Sequence, residues 1–209
     1  MKHILGILVA LTAVVAAAQS NRMRTFEDDL IGSPPKGFLF PVTREAAPDK
    51  WLVRREGDNA LLAHVGDTNG GSGFALAVLD GLRYGDLTIA ARLKLVGGDR
   101  AGGVVWRFQD SRNYCMVRVD LSRQEIGLFR VVDGNRIRIE RDDDLELDPN
   151  AWHTLKIVQK DERARIYLNG IRVLQERDRS FRGPGGVGLW SAGAAVVYFD
   201  DFRAEEQGE

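Results

Sequence analysis

Alternate carboxylates are the first arrangement in this chain that could do chemistry: Glu140, Asp142, Asp144 and Glu146 recur at every second position. On a strand such residues line one face, where one acid could donate a proton while its neighbour attacks. Asp148-Pro149 follows at once, and a proline-bounded acidic stretch reads more naturally as a solvated loop. Other reactive candidates are sparse. His64 lies on a polar-looking strand face and could serve as a base, although nothing pairs with it recognisably. His153 follows Trp152 at a strand start and reads as structural. The single cysteine, Cys115, falls on the apolar side of a strand pattern, without the activating partner that a nucleophilic thiolate needs. Asp200 and Asp201, taken with Glu27 or Asp28, form the one metal option. Hard oxygen ligands at strand ends would suit a structural calcium, Asp28 and Asp200 being the first candidates, and an acidic strand end in water is the alternative. Zinc lacks ligands, since only His64 and His153 follow the leader and there is one Cys.

A binding face is easier to assemble than a catalytic one. In 103–109, Val104, Trp106 and Phe108 share one side and Arg107 and Gln109 the other. In 113–121, Cys115, Val117, Val119 and Leu121 oppose Tyr114, Met116, Arg118 and Asp120. Closing these strands around Ser111-Arg112 sets Phe108 opposite Cys115 and Gln109 opposite Tyr114. That register puts every clearly apolar residue on one side, as a half-buried pair demands. The other side then carries Arg107, Gln109, Tyr114, Met116 and Arg118, a combination suited to a sugar. Trp190 adds a stacking platform or, equally, a core residue. The alternative for the polar side is an exposed sheet face with ordinary cross-strand pairs. Asp110 and Asn113 read as turn-formers, and Trp106 and Trp152 as core.

The elements that must position these residues are short strands. Leu87, Ile89, Ala91, Leu93 and Leu95 alternate with polar or small neighbours. Comparable runs occupy 74–79, 125–132, 152–160, 163–168, 186–191 and 196–203, separated by Asp80-Gly81, Gly97-Gly98, Asp133-Gly134 and Asn169-Gly170. Asn169-Gly170 is the strongest hairpin signal, because both residues accept positive φ. No sustained 3.6-residue apolar period follows the leader. Many short alternating strands with regular turns predict an all-β sandwich or barrel. Residues 20–48, broken by Pro34, Pro35, Pro41 and Pro48, read as an irregular lead-in to a single domain running from about residue 24 to the end.

Lys2 and His3 precede an apolar run from Ile4 to Val15 and the small residues Ala16-Ala17-Ala18. This is the pattern of a secretory signal peptide spanning residues 1–18. The run is shorter than the roughly 20 apolar residues a membrane span needs, so export to the periplasm or beyond is the expectation, with no transmembrane segment left after cleavage. The 209-residue chain carries 29 basic and 30 acidic side chains. Its arginines are scattered and mostly matched by nearby acids, so nucleic acid is not an expected partner. One cysteine means no internal disulfide, and stability must come from a packed core.

Six segments together resemble a known family: Trp106-Arg-Phe-Gln-Asp110 with Asn113-Tyr114, Trp152-His-Thr-Leu155, Tyr167-Leu-Asn-Gly170, Gly186-Val-Gly-Leu-Trp190, Phe199-Asp-Asp-Phe202 and Phe26-Glu-Asp-Asp29. They look like the concanavalin A-like/laminin-G jelly roll of bacterial exported proteins, commonly labelled a 3-keto-disaccharide hydrolase domain and loosely grouped as glycoside hydrolase family 16-like. The resemblance implies a two-sheet antiparallel β-sandwich, a jelly roll with ligand on the concave sheet, with Phe26–Asp29 as an opening strand beside the C-terminal one, and a possible hydrolysis of oxidised sugars. After Trp190, Ser191-Ala-Gly-Ala-Ala195 departs from the polar or acidic residues expected there. The acidic run at 140–146 also departs from a family 16 glucanase, whose retaining mechanism sets two carboxylates roughly 5–5.5 Å apart. Three readings follow: a carbohydrate-binding domain acting through Arg107, Gln109, Tyr114, Arg118 and Trp190; a 3-keto-glycoside hydrolase with no base identified; and a cell-surface protein-interaction module.

Overall fold

The computed structural model describes residues 21–41, 50–66 and 73–207; the signal-peptide expectation at 1–18 and part of the proline-rich lead-in lie outside them. Fifteen strands are described. They are β1 (Asn21–Arg24), β2 (Phe38–Leu39), β3 (Lys50–Glu56), β4 (Asn59–Val65) and β5 (Phe74–Leu79). Then come β6 (Leu87–Gly97), β7 (Ala101–Asp110), β8 (Asn113–Asp120), β9 (Glu125–Val132) and β10 (Asn135–Asp142). The last five are β11 (His153–Lys160), β12 (Arg163–Leu168), β13 (Ile171–Arg177), β14 (Gly186–Ala192) and β15 (Val196–Glu206).

These strands form two antiparallel sheets packed face to face, a jelly-roll sandwich. One sheet runs β13-β12-β11-β6-β15-β4-β3, with β1 also paired to β15; the other runs β10-β9-β8-β7-β14-β5-β2. Period-2 alternation drives the packing. Leu87, Ile89, Ala91, Leu93 and Leu95 of β6 are all buried, whereas the residues between them are half-exposed. Val104 and Trp106 of β7, Val117 and Val119 of β8, and Phe199 of β15 join the same core. Each such aliphatic or aromatic side chain contributes about 1.5–3 kcal/mol on burial. The Asn169-Gly170 turn forms as expected, with φ of 50° and 84° joining β12 to β13.

Several expectations need correcting. The opening strand is Asn21–Arg24, paired to residues 202–205 of β15, not Phe26–Asp29. Phe26 instead starts a turn at φ 62° and buries its ring against Phe38. Arg24 closes that turn by donating to Asp29 and to the Lys36 carbonyl. The lead-in is also less irregular than its prolines imply, because Phe38–Leu39 adds an edge strand to β5. The β3–β4 hairpin and the exposed edge strand β10 escaped the alternation test. Trp152 is not core: it lies half-buried outside the sandwich, with Arg92 over its ring at 4.9 Å. Of the acidic run, Glu140 to Asp142 end β10 and the rest is irregular chain up to the buried Leu147.

Candidate functional site

The β7–β8 hairpin decides where the expected site residues go. Trp106 pairs with Cys115 and Asp110 with Asn113, so two residues of β7 are looped out between those pairs. Regular alternation predicted Phe108 opposite Cys115. The bulge instead exchanges the sides of Arg107 and Phe108. Arg107 takes φ 52° and turns into the mouth between the two sheets, while the Phe108 ring moves to within 6.0 Å of Tyr114. A bulge of this kind re-aims a side chain. The Asp110 carboxylate holds the hairpin end by accepting from the Arg112 amide at 2.7 Å and from Asn113, the turn-forming role expected of both residues.

Buried in that mouth, the Arg107 guanidinium gathers three loops. It donates to the Gly183 carbonyl before β14, to the Asp161 carbonyl at the β11–β12 turn (3.3 Å), and to Asp86 before β6 (3.5 Å). Asp86 also accepts from the Asp161 amide at 2.8 Å. A second chain anchors the same turn from the core. Trp106 Nε1 donates to Gln159 Oε1 at 3.0 Å, and Gln159 Nε2 donates to the Asp161 carbonyl at 2.6 Å. Gly185 is required beside this network, since a Cβ there would lie 2.4 Å from the Arg107 backbone.

These loops enclose a cleft of about 710 Å³, within the usual size of ligand sites. Phe181, half-buried against the core, gives it an aromatic wall. Arg107 and Asp86 form its floor, and Lys160, Arg163, Arg165 and Arg177 come from the adjoining ends of β11, β12 and β13. Arg182 and Glu162 face each other at 3.4 Å, and Arg179 holds Glu162 at 2.8 Å. Gln109 sits outside the cleft, exposed, accepting from Arg83 at 2.6 Å. The expectation of scattered, acid-matched arginines is corrected here, because tertiary structure collects several on one wall.

Tyr114 and Arg118 do share the outer face of the second sheet, as expected, Trp190 lies on it beside them, and that face is not open. Tyr114 and Trp190 are each 1% exposed and Arg118 8%. Arg136 of β10 lies over Phe129 at 5.3 Å and over Phe74 of β5 at 4.7 Å, although four strands separate β10 from β5. The sheet therefore curls until its edges meet across the trough, and Phe74 packs on Trp190 at 5.2 Å. Arg118 lies over Phe129 and is clamped by Glu125 (2.5 Å) and Asp120 (3.6 Å). Burial pushes the Tyr114 phenol up to about 12, with Arg136 pulling the other way. Burial also lowers Arg136 from the usual guanidinium range, and the neighbouring Arg118 charge lowers it further. The five expected binding residues are thus divided: Arg107 is in the cleft, Gln109 beyond its edge, and the other three in a packed trough.

The remaining candidates are structural in their surroundings. His64 is not on a polar face; it is buried with its ring 4.9 Å from Trp51. His153 is buried as expected, its Nε2 donating to the Asp148 carbonyl and its Nδ1 accepting from Asn169. The Cys115 thiol is pushed far up by burial and then by the Asp178 carboxylate, which it meets at 3.8 Å. Among the described residues no three acidic, His or Cys side chains are grouped as a metal site. Asp28 is exposed, and the buried Asp200 carboxylate, raised by burial, is occupied by Asn59 and by the Asp201 amide. The calcium expectation at Asp28 and Asp200 therefore finds no assembled ligand set there.

No protein-family model matches the chain, and no curated protein matches it by sequence. Solved structures do match in fold. The carbohydrate-binding module CBM66 from Bacillus subtilis superposes with a TM-score of 0.64 at 20% identity, over 85% of this chain and 99% of that one. Cellulose induced protein Cip1 gives 0.63 at 14% identity over 89% and 97%. The Bacillus licheniformis β-glucanase gives 0.60 at 9% identity over 90% and 99%. At these identities the likeness establishes the jelly-roll architecture. Among the described residues no helix is long and apolar enough to cross a membrane.

Proposed function

We propose that this chain is an exported carbohydrate-recognising domain that takes its ligand in the Arg107–Phe181 cleft. One observation carries the reading: a cleft of about 710 Å³ joins an aromatic wall to fixed polar groups. Sugar rings present an apolar C–H face to an aromatic and hydroxyls to guanidiniums and carboxylates, so Phe181 and the Arg107–Asp86 floor suit them. The fold agrees, since jelly rolls of this shape include a module named for carbohydrate binding and a β-glucanase. Binding is favoured over hydrolysis of 3-keto-disaccharides. Hydrolysis needs a positioned general base; of the three cleft carboxylates, Asp86 and Glu162 are tied to arginines and Asp161 stands on the exposed turn. The trough holding Tyr114, Arg118 and Trp190 is packed rather than open, which moves the proposed ligand away from it.

A glycan array on residues 19–209, followed by calorimetry on the hits, tests this. Phe181→Ala is expected to weaken binding about tenfold or more, the loss of one buried aromatic contact. Unchanged affinity would remove the cleft from the reading, and binding abolished by Trp190→Ala alone would return it to the trough. Export is checked separately by expressing the full chain and sequencing the N-terminus of the mature product, expected at Gln19.

A further inference from the structure

The strand register of the cleft wall places like charges directly opposite one another. Lys160 of β11 is the cross-strand partner of Arg163 of β12, and Arg163 is in turn the partner of Arg177 of β13. Three cations therefore stand in a row across three adjacent strands, and Arg165 lies two residues along from Arg163 on the same side. Directly opposed side chains have Cβ atoms about 4.5–5.5 Å apart, and like charges there are destabilising. Neighbouring strands are about 4.8 Å apart, so the row spans roughly 10 Å.

The fold does not neutralise this row. The cleft lining holds six cationic side chains against three acidic ones, in a chain whose overall charge is −1. Asp86 is taken by Arg107, and Glu162 by Arg179 and Arg182. Asp161 faces the same cleft from the exposed turn, where it leaves the row in excess. Among the described residues no carboxylate pairs with Lys160, Arg163, Arg165 or Arg177. The Arg165 Nε does find Gln175, a neutral partner, at 3.3 Å.

We infer that the cleft selects an anionic carbohydrate, carrying carboxylate or sulfate groups that bridge the Lys160–Arg163–Arg177 row while a sugar ring packs on Phe181. Guanidinium forks match both oxyanions in bidentate geometry, and a bound anion replaces the cross-strand repulsion with attraction. The inference rests on the carbohydrate reading of the cleft and adds the charge of the ligand to it. Phe181 is what favours a sugar over a nucleic-acid backbone, because the cationic row spans only roughly 10 Å and lies beside a single aromatic wall of a half-open cleft.

The test titrates residues 19–209 with polygalacturonate, dextran sulfate, the neutral polymers dextran and inulin, and a single-stranded oligonucleotide. It compares the native chain with Phe181→Ala and with the double variant Arg163→Gln/Arg177→Gln. The acidic polymers are expected to bind and the neutral ones not, with affinity falling steeply as salt approaches about 1 M, where charges are screened beyond about 3 Å. The two acidic polymers separate carboxylate from sulfate as the recognised group. The double variant is expected to lose at least about tenfold in affinity. Its unliganded Tm is expected to rise by about 1–3 °C as the repulsion goes, which a misfolded variant would not show. Neutral polymers binding in a salt-independent, Phe181-dependent way would overturn the charge inference and leave the carbohydrate reading standing. No binding by any polysaccharide would remove both. Oligonucleotide binding that depends on Arg163 and Arg177, with the acidic polysaccharides inert, would reassign the cleft to nucleic acid.

Discussion

Replacing Arg107 with methionine keeps a long flexible side chain in the mouth of the sandwich and removes the fork that ties three loops together. The left-handed backbone at φ 52° is retained by either residue, so its strain cancels in the comparison. What is lost is charge-assisted donation to the Gly183 and Asp161 carbonyls and to Asp86. A hydrogen bond to a charged group contributes about 1.5–3 kcal/mol, and three sharing one guanidinium do not add. The Asp161 carbonyl keeps its Gln159 donor, and the Asp86 side chain is 27% exposed, so water recovers part of that term. The expected loss is about 2–4 kcal/mol. For a chain of this size it lowers Tm by roughly 5–15 °C. Urea denaturation followed by tryptophan fluorescence measures the first and calorimetry the second. Arg107→Lys restores the charge without the fork and is expected to recover less than half. A loss below about 1 kcal/mol, or full recovery by lysine, would refute the view that Arg107 assembles the cleft.

Three further outcomes follow from the same geometry. Tyr114 has its folded-state pKa raised to about 12 from an ordinary value near 10, so its stabilisation is complete below pH 10 and is lost as pH rises through 12. Linkage puts that at about 2–3 kcal/mol, and Tyr114→Phe should flatten the alkaline limb of a stability–pH curve. Gly185→Ala drives a Cβ to 2.4 Å from the Arg107 backbone; it should cost at least about 2 kcal/mol by overpacking and weaken glycan binding, read by urea melts and calorimetry. Arg118→Ala removes the buried partner of Glu125 and Asp120, leaving them only the more exposed Arg141 and Arg123, and should cost about 2–4 kcal/mol, whereas an Arg118→Met/Asp120→Leu/Glu125→Leu triple variant should be near neutral. A triple variant as unstable as the single one would contradict that assignment.

Alternation and turn chemistry alone determined the all-β class, most strand positions and the Asn169-Gly170 hairpin, because period-2 burial and positive-φ turns are local properties of the chain. The family-like segments pointed the same way, and the solved structures agree on the jelly roll. Edge strands such as β10 were not legible, since a strand exposed on both sides carries no alternation. The binding face failed for a different reason. It was drawn by extending regular alternation through Arg107 and Gln109, whereas two looped-out residues exchange Arg107 with Phe108, and nothing local in Trp-Arg-Phe-Gln announces a bulge. Nor could a single strand reveal that the second sheet curls until Arg136 meets Phe74, sealing Tyr114, Arg118 and Trp190 into packing. Lys160, Arg163 and Arg177 were visible as ordinary surface charges. Only cross-strand register, which depends on which strands become neighbours, set them in one row beside Phe181. The scaffold was therefore local in origin, while the cleft and its charge are tertiary, arising where three loops converge on Arg107 beside the cationic wall of β11, β12 and β13.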